Sequence, residues 1–343
     1  MVSAIVIGAG AAGLAASSRL TSAGYDVTIL EARERVGGRA HTGSINGIPI
    51  DLGPMWIHGV ANNPLYEIAE EHGLAMVPTN YENSTYYNHT GHEIATDSME
   101  AVWDDFEAVM ERVAHYQDST ASRQSLEWGI EQAVADLSLS VLGDGSEYAQ
   151  RMLDFAVADD VELEYAGKTS DLDLWWFDSD GELDGGDVLL PGGYVELMEA
   201  ISTDLTITYN STVTRIEYGK RGVTVTATEP AADGDEVVYS ADYLVVTVPV
   251  GVLRASPAPI TFDPPMPSAW STALSHRGVG LLDKYVFAFK SSFFADTHFL
   301  YHVDSTTKGR YSEWLNGNTY LNGSKASQSG DDAAASDGTG ANV

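Results

Sequence analysis

Two kinds of apolar run open the chain. Ala4-Ile5-Val6-Ile7 is short, continuous and largely β-branched, which reads as a strand buried on both faces, and Asp26-Val27-Thr28-Ile29-Leu30 reads as a second. Between them residues 11–23 are small and helix-compatible, and Gly24 stands where a helix-ending glycine belongs. Together they predict a βαβ unit. From about residue 75 the period lengthens: Met99, Val102, Trp103, Phe106, Val109, Met110 and Val113 share one face of a helix predicted over 99–115, with Asp97 and Glu100 as its capping box. Further helices are predicted over 126–137 and 147–158. Strand patterning returns at 205–209, 213–218, 223–228, 243–248 and 284–289. Residues 231–235 read as a turn, and the five prolines of 257–267 predict an extended crossing between domains. Residues 316–343 are mostly Gly, Ser, Asn, Asp and Ala, too poor in apolar side chains to offset the entropy of ordering, so disorder is expected there.

Composition narrows the function. The chain has 343 residues, 44% of them hydrophobic, ample for a large core and more than one domain. Fifty acidic residues against 18 basic ones give a formal charge of −32, which excludes wrapping nucleic acid or lying on an anionic membrane. The acids are spread along the chain and only six residues are lysine, a balance that suits a salt-rich cytoplasm, where repulsion is screened to within about 3 Å at 1 M. With no cysteine, disulfides, thiolate metal sites and sulfur-tethered cofactors are excluded. The histidines show no metal-ligand spacing, and no metal is expected. The first twenty residues lack a basic leader and carry Gly8, Gly10, Gly13 and Ser17, so they read as folded protein; no membrane span and a cytoplasmic location are expected.

The strongest local signal is Gly8-Ala9-Gly10-Ala11-Ala12-Gly13, a G-x-G-x-x-G that follows the first strand and opens the helix. Its glycines allow a tight turn, close approach of main chain to a pyrophosphate, and close helix–strand packing, while the helix N-terminus favours the negative charge. Glu31 ends the second strand, where a carboxylate accepts hydrogen bonds from ribose hydroxyls and repels a 2′-phosphate. The unit points to an adenine dinucleotide.

Which dinucleotide follows from a resemblance. Glu31-Ala32-Arg33-Glu34-Arg35-Val36-Gly37-Gly38-Arg39 resembles the second glycine pair of the glutathione-reductase-like flavoproteins, and Asp51-Leu52-Gly53-Pro54-Met55-Trp56-Ile57-His58-Gly59 resembles the flavin-edge loop of the flavin-containing amine oxidases. Glu162-Leu163-Glu164-Tyr165-Ala166, Leu174-Trp175-Trp176-Phe177-Asp178, Leu190-Pro191-Gly192-Gly193-Tyr194, residues 241–253, residues 260–267 and Gly280-Leu281-Leu282-Asp283-Lys284 are similar to blocks of polyamine oxidases and lysine-specific demethylases, in the same order. The family's block downstream of the lysine has no counterpart here. The chain is expected to be C-terminally truncated, or completed by a partner chain.

The resemblance implies an α/β, two-domain fold: a Rossmann-like FAD/NAD(P)-binding domain of the glutathione-reductase type, interleaved with a substrate domain of helices and a mixed sheet. The FAD-binding parts are expected at 1–75 and 186–255, the substrate-domain parts at 76–185 and 256–315, and the tail at 316–343. It implies FAD, held non-covalently, contacted by Gly8, Gly10, Ala11, Ala12, Gly13, Glu31, Ala32, Arg33, Gly38, Arg39, Gly53, Pro54, Met55, Trp56 and Val213. Arg39 offers its planar donor fork to the pyrophosphate. The implied reaction is oxidation of a small-molecule amine, with a polyamine suited to the acidic field, by dioxygen, giving an imine, then aldehyde or ketone, and peroxide. Lys284 is implied as the catalytic residue that positions a water against the flavin, in a partly buried setting that lowers its pKa. Trp56 and His58 are candidate substrate contacts. Glu164 is a candidate for a distal ammonium, although most carboxylates in so acidic a chain are simply solvated. A non-catalytic remnant that keeps the nucleotide cradle stays open, as does a flavin-dependent desaturase or oxidase of a non-amine substrate.

Overall fold

The computed structural model describes residues 1–320, apart from 121, 180, 231–234 and 292–296. The chain divides into two compact units, Met1–Val77 with Asp184–Val279, and Pro78–Leu183 with Gly280–Val343.

The first unit is built on a parallel sheet. β1 (Ser3–Ile7), β2 (Asp26–Leu30), β10 (Ile207–Thr208) and β14 (Tyr243–Val246) lie in the order β10-β2-β1-β14. Alternation along β1 explains its unbroken apolar run. Ala4 and Val6 pack with Val27, Ile29, Leu14 of α1 (Ala11–Ser22), and Leu197 and Met198 of α6 (Val195–Ser202). Ile5 and Ile7 face the other way, onto Val213, Ile216, Val225 and Ala227. Those come from a second sheet, β11 (Thr212–Gly219), β12 (Gly222–Thr228), β13 (Glu236–Ala241) and β15 (Thr261–Asp263), in the order β13-β12-β11-β15. Hence β1 is buried on both faces, between helices and a sheet. Gly24 follows α1 at φ 85°, the left-handed conformation that a residue with a Cβ resists.

Smaller elements complete this unit. β3 (Thr42–Ile45) and β4 (Ile48–Asp51) form a hairpin. β5 (Trp56–Ile57), β9 (Val188–Leu189) and β6 (Val77–Pro78) form a short sheet. The helices α2 (Pro64–Glu71), α7 (Val250–Arg254) and α8 (Ser268–Ser275) fill the rest. The proline-rich stretch 257–267 is not a crossing between domains: Arg215, Ile216 and Glu217 of β11 pair in parallel with Thr261, Phe262 and Asp263. That ladder ties 256–279 into the first unit, where the sequence places a boundary at 255.

The second unit combines helices with a mixed sheet. α3 (Thr96–Ser119) buries Met99, Val102, Phe106, Val109 and Val113, the expected face. It starts earlier than expected, with Ala95 as N-cap and no side-chain cap, so Asp97 lies within the first turn and no capping box forms. α4 (Leu126–Asp136) and α5 (Glu147–Val157) are capped by the hydroxyls of Ser125 and Ser146. α5 runs on into a π-helical turn, Ala158–Glu162. The sheet has the order β17 (Glu313–Leu315), β16 (Phe299–His302), β7 (Ser84–Tyr87), β8 (Glu93–Ile94). Residues 284–289, expected as a strand, form none; a strand exists only against a neighbour, and among the described residues no ladder pairs with 284–288. Of the tail expected to be disordered from 316, residues 316–320 are ordered instead, with Asn316 and Tyr320 buried, and 321–343 lie outside the described residues.

Candidate functional site

In the first unit the glycine-rich turn is shaped by its neighbours. Gly8 has φ 106°, and its N–H donates to the Leu30 carbonyl at 2.9 Å. A Cβ on Gly13 would collide with the carbonyl of Gly8, so only glycine lets α1 pack so close to the end of β1. The N-cap, Gly10, offers no side-chain acceptor, and Ala11 and Ala12 are exposed. The first main-chain N–H groups of α1 are therefore left to an external anion.

Glu31 completes the cradle. It is 7% exposed; one carboxylate oxygen accepts the Ala9 N–H at 2.7 Å and the other the Arg33 N–H at 2.9 Å. Each oxygen keeps a lone pair for a ribose hydroxyl. The Gly37 N–H donates to the Ala9 carbonyl at 2.8 Å, which holds the second glycine pair against the first. The arginines divide. Arg33 donates to the Gly38 carbonyl, and Arg35 to the carbonyls of Val36 and Gly38, so both brace the loop. Burial and the neighbouring Arg33 press the Arg35 pKa below its usual value, against the pull of Glu31. Arg39 is exposed and forms no ion pair with any described residue, despite the 50 acids of the chain. Ala32 is exposed and Gly38 half-buried. A glycine cradle that a Cβ would block, uncapped amides, a fixed carboxylate and an uncommitted guanidinium are the groups an adenine dinucleotide needs.

The loop after β4 is pinned on two sides. Asp51 accepts the Tyr194 N–H and the Thr42 hydroxyl, and a Cβ on Gly53 would strike the Arg39 carbonyl. Pro54 is exposed; Met55 and Trp56 are half-buried. His58 is 62% exposed, its Nδ1 2.8 Å from Asp187, whose other oxygen accepts the Gly59 N–H at 2.9 Å. The His58 ring stacks on Trp56 with centroids 6.1 Å apart. Val213 is buried, with its side chain in the core below the parallel sheet and a register shift in β11 immediately after it. Sequence reasoning missed Asp187; its only signal is an acid shortly before the Pro-Gly-Gly-Tyr block.

In the second unit, Glu164 follows the π-helical turn and is exposed. Burial and the charges of Glu164, Glu182 and Asp178 raise the pKa of Asp160. Lys284 is also exposed, which corrects the expected partly buried setting: among the described residues no strand ladder encloses 284–288. That segment is nonetheless tied near Glu164, because the Leu281 N–H donates to the Ala166 carbonyl at 3.1 Å. A further group was not foreseen. Asp159 is pushed up to about 8 by burial, with Glu313 and Asp160 adding to the shift, and its Oδ1 is buried without a hydrogen-bond partner. Among the described residues no group of three or more His, Asp or Glu is arranged to hold a metal, and no helix is long and apolar enough to cross a membrane.

Comparison with known proteins gives the family and the fold. Residues 11–336 match the model of the flavin containing amine oxidoreductase family. Polyamine oxidase 4 of Oryza sativa subsp. japonica is 34% identical over 89% of this chain and 63% of its own length. Probable polyamine oxidase 4 of Arabidopsis thaliana is 33% identical over 89% of this chain and 61% of its own. Lysine-specific histone demethylase 1 homolog 2 of Oryza sativa subsp. japonica is 32% identical, over 85% of this chain and 37% of its own. The chain thus spans under two thirds of the length of these relatives. A solved structure of wild-type putrescine oxidase bound to putrescine superposes with a TM-score of 0.64 at 19% identity, covering 92% of this chain and 72% of that one, which establishes the shared fold. The cofactor is FAD, and the chain belongs to the flavin containing amine oxidoreductase family.

Proposed function

We propose that this chain carries the FAD-binding and substrate units of an amine oxidase acting on polyamine-like amines with dioxygen as acceptor. The observation that carries the reading is the similarity to polyamine oxidases over 89% of the chain, supported by the cradle around Gly8–Gly13, Glu31 and Arg39. When bound, FAD supplies the acceptor for a hydride equivalent from the amine α-carbon and passes the electrons to dioxygen. The amine loses two electrons and two protons and becomes an imine, which water hydrolyses to aldehyde or ketone; dioxygen becomes hydrogen peroxide.

The protein's own residues then orient and discharge the substrate. In the tautomer that donates Nδ1–H to Asp187, His58 presents Nε2 as an acceptor, suited to receive an amine N–H beside the apolar face of Trp56. Glu164 is proposed to hold a distal ammonium, and Lys284 a water that assists reoxidation. The main-chain group of Val213 is proposed to contact adenine. FAD is held without a covalent bond.

A second reading, a remnant that binds the cofactor without turnover, is favoured by one observation: Leu281, Leu282, Tyr285 and Phe287 around Lys284 are 80%, 58%, 68% and 44% exposed. So much exposed apolar surface calls for a cover, which we propose a partner chain supplies. Nucleic acid and membranes are not proposed as partners. The cell is proposed to be salt-rich, with the protein in its cytoplasm.

The test is to purify the chain in concentrated salt, record its visible spectrum, and measure peroxide release with monoamines, polyamines and amino acids. Yellow protein that oxidises polyamines meets the proposal. Yellow protein inert to every amine supports the remnant.

A further inference from the structure

The order of the parallel sheet, β10-β2-β1-β14, sets out three strand ends in a row. β1 ends at the glycine-rich turn, where a pyrophosphate sits, and β2 ends at Glu31, where a ribose sits. One further strand spacing along, about 4.8 Å, lies the end of β10, so an adenine base running on from that ribose arrives there. The first residue beyond β10 is Tyr209.

Strand order and the backbone bonds around Tyr209 place it beside the segment that carries the ribose carboxylate. Ile207 pairs with Ile29 and Thr208 with Leu30, where the ladder ends, and Tyr209 opens the turn that follows, beside the end of β2 at Glu31. Ile207 and Ile29 share the face packed against α1 and α6. The Tyr209 hydroxyl feels burial and the charges of Glu199 on α6 and of Glu31, which raise its pKa. The backbone around it is fixed: the Glu31 N–H donates to the Thr208 carbonyl at 2.9 Å, the Asn210 N–H to the Arg33 carbonyl at 3.0 Å and the Ser211 N–H to the Glu31 carbonyl at 2.9 Å. Asn210 takes φ 55°, turning the chain back at this point. Tyr209 remains 40% exposed, although a large aromatic on so well-tied a segment could have been packed away.

We propose that Tyr209 is the adenine platform of the cofactor site, its ring packing against the base of the nucleotide whose ribose is held by Glu31. The proposal rests on the FAD reading of the cradle. Stacking needs the ring and not the hydroxyl, so the two substitutions separate. Binding of FAD and of ADP to the full chain is measured by titration calorimetry, beside the melting temperature without ligand. Tyr209→Ala is expected to weaken both ligands about tenfold with an unchanged melting temperature, and Tyr209→Phe to stay within about twofold of the unsubstituted chain. An Ala variant that binds ADP as the unsubstituted chain does, or a Phe variant as weak as the Ala variant, overturns the role of the ring while leaving the cradle standing. Failure of the unsubstituted, folded chain to bind either ligand overturns the cradle and this proposal with it.

Discussion

The carboxylate of Asp51 accepts the main-chain N–H of Tyr194 through both oxygens, at 2.9 and 3.1 Å, across 143 residues of sequence. This bond joins the loop that leads to Trp56 and His58 to the point where the chain re-enters the first unit. Asp51 is 7% exposed, so its removal strands a buried N–H and the Thr42 hydroxyl. Asp51→Ala is expected to cost about 3 kcal/mol, and Asp51→Asn, which keeps one acceptor, about 1 kcal/mol, read from denaturant unfolding. Equal losses for the two variants would contradict the hydrogen-bonding role.

Helix α1 sits on β1 at glycine distance. Gly13→Ala is expected to destabilise the chain by about 3 kcal/mol and to abolish FAD binding, because its Cβ meets the Gly8 carbonyl. Gly251, in α7, is the control: a Cβ there meets nothing within 4 Å, and Gly251→Ala is expected to be neutral or slightly stabilising. Thermal melts and flavin fluorescence quenching of both variants check the contrast.

Arg35 and Arg39 stand four residues apart with opposite duties. Arg35→Ala removes donors to the carbonyls of Val36 and Gly38 and is expected to lower stability by about 1 kcal/mol. Arg39→Ala touches no described ion pair; stability is expected to hold within about 0.5 kcal/mol, while FAD affinity falls about tenfold or more and loses part of its salt dependence. Affinity titrations at two salt concentrations distinguish them.

Asp159 makes stability depend on pH in an unusual direction. Its folded pKa, about 8, lies above the ordinary 3.8, so its contribution is fully present below pH 3.8 and is lost as pH rises through 8. Asp159→Asn removes that loss. The variant is expected to gain on the unsubstituted chain as pH rises from 5 to 9, by about 3 kcal/mol at the upper end, less than the full shift at about 1.4 kcal/mol per unit because water reaches a charged carboxylate. Urea unfolding at the two pH values measures the gap; a constant difference would show that Asp159 does not titrate on its own.

Local patterns carried much of this structure. β2 begins and ends where its apolar run does, α1 and Gly24 fall where small residues and a helix-ending glycine place them, and the buried face of α3 has the expected spacing. What depended on distant partners was not legible. β15 pairs with β11 across more than 40 residues, and that ladder moves the stretch 256–279 into the first unit. Residues 284–289 have the alternation of a strand without a described neighbour to make them one. The grip of Asp187 on His58 spans 129 residues, and the place of Tyr209 beside the end of β2 follows only from strand order.

The central claim is that the first unit holds FAD through its glycine turn, Glu31 and Arg39. Titration of the folded, full-length chain with FAD in concentrated salt, followed by visible absorbance and flavin fluorescence, tests it most directly. The account predicts saturable binding of one FAD per chain, weakened by Arg39→Ala and abolished by Gly13→Ala. A folded chain that stays colourless at saturating FAD would contradict it.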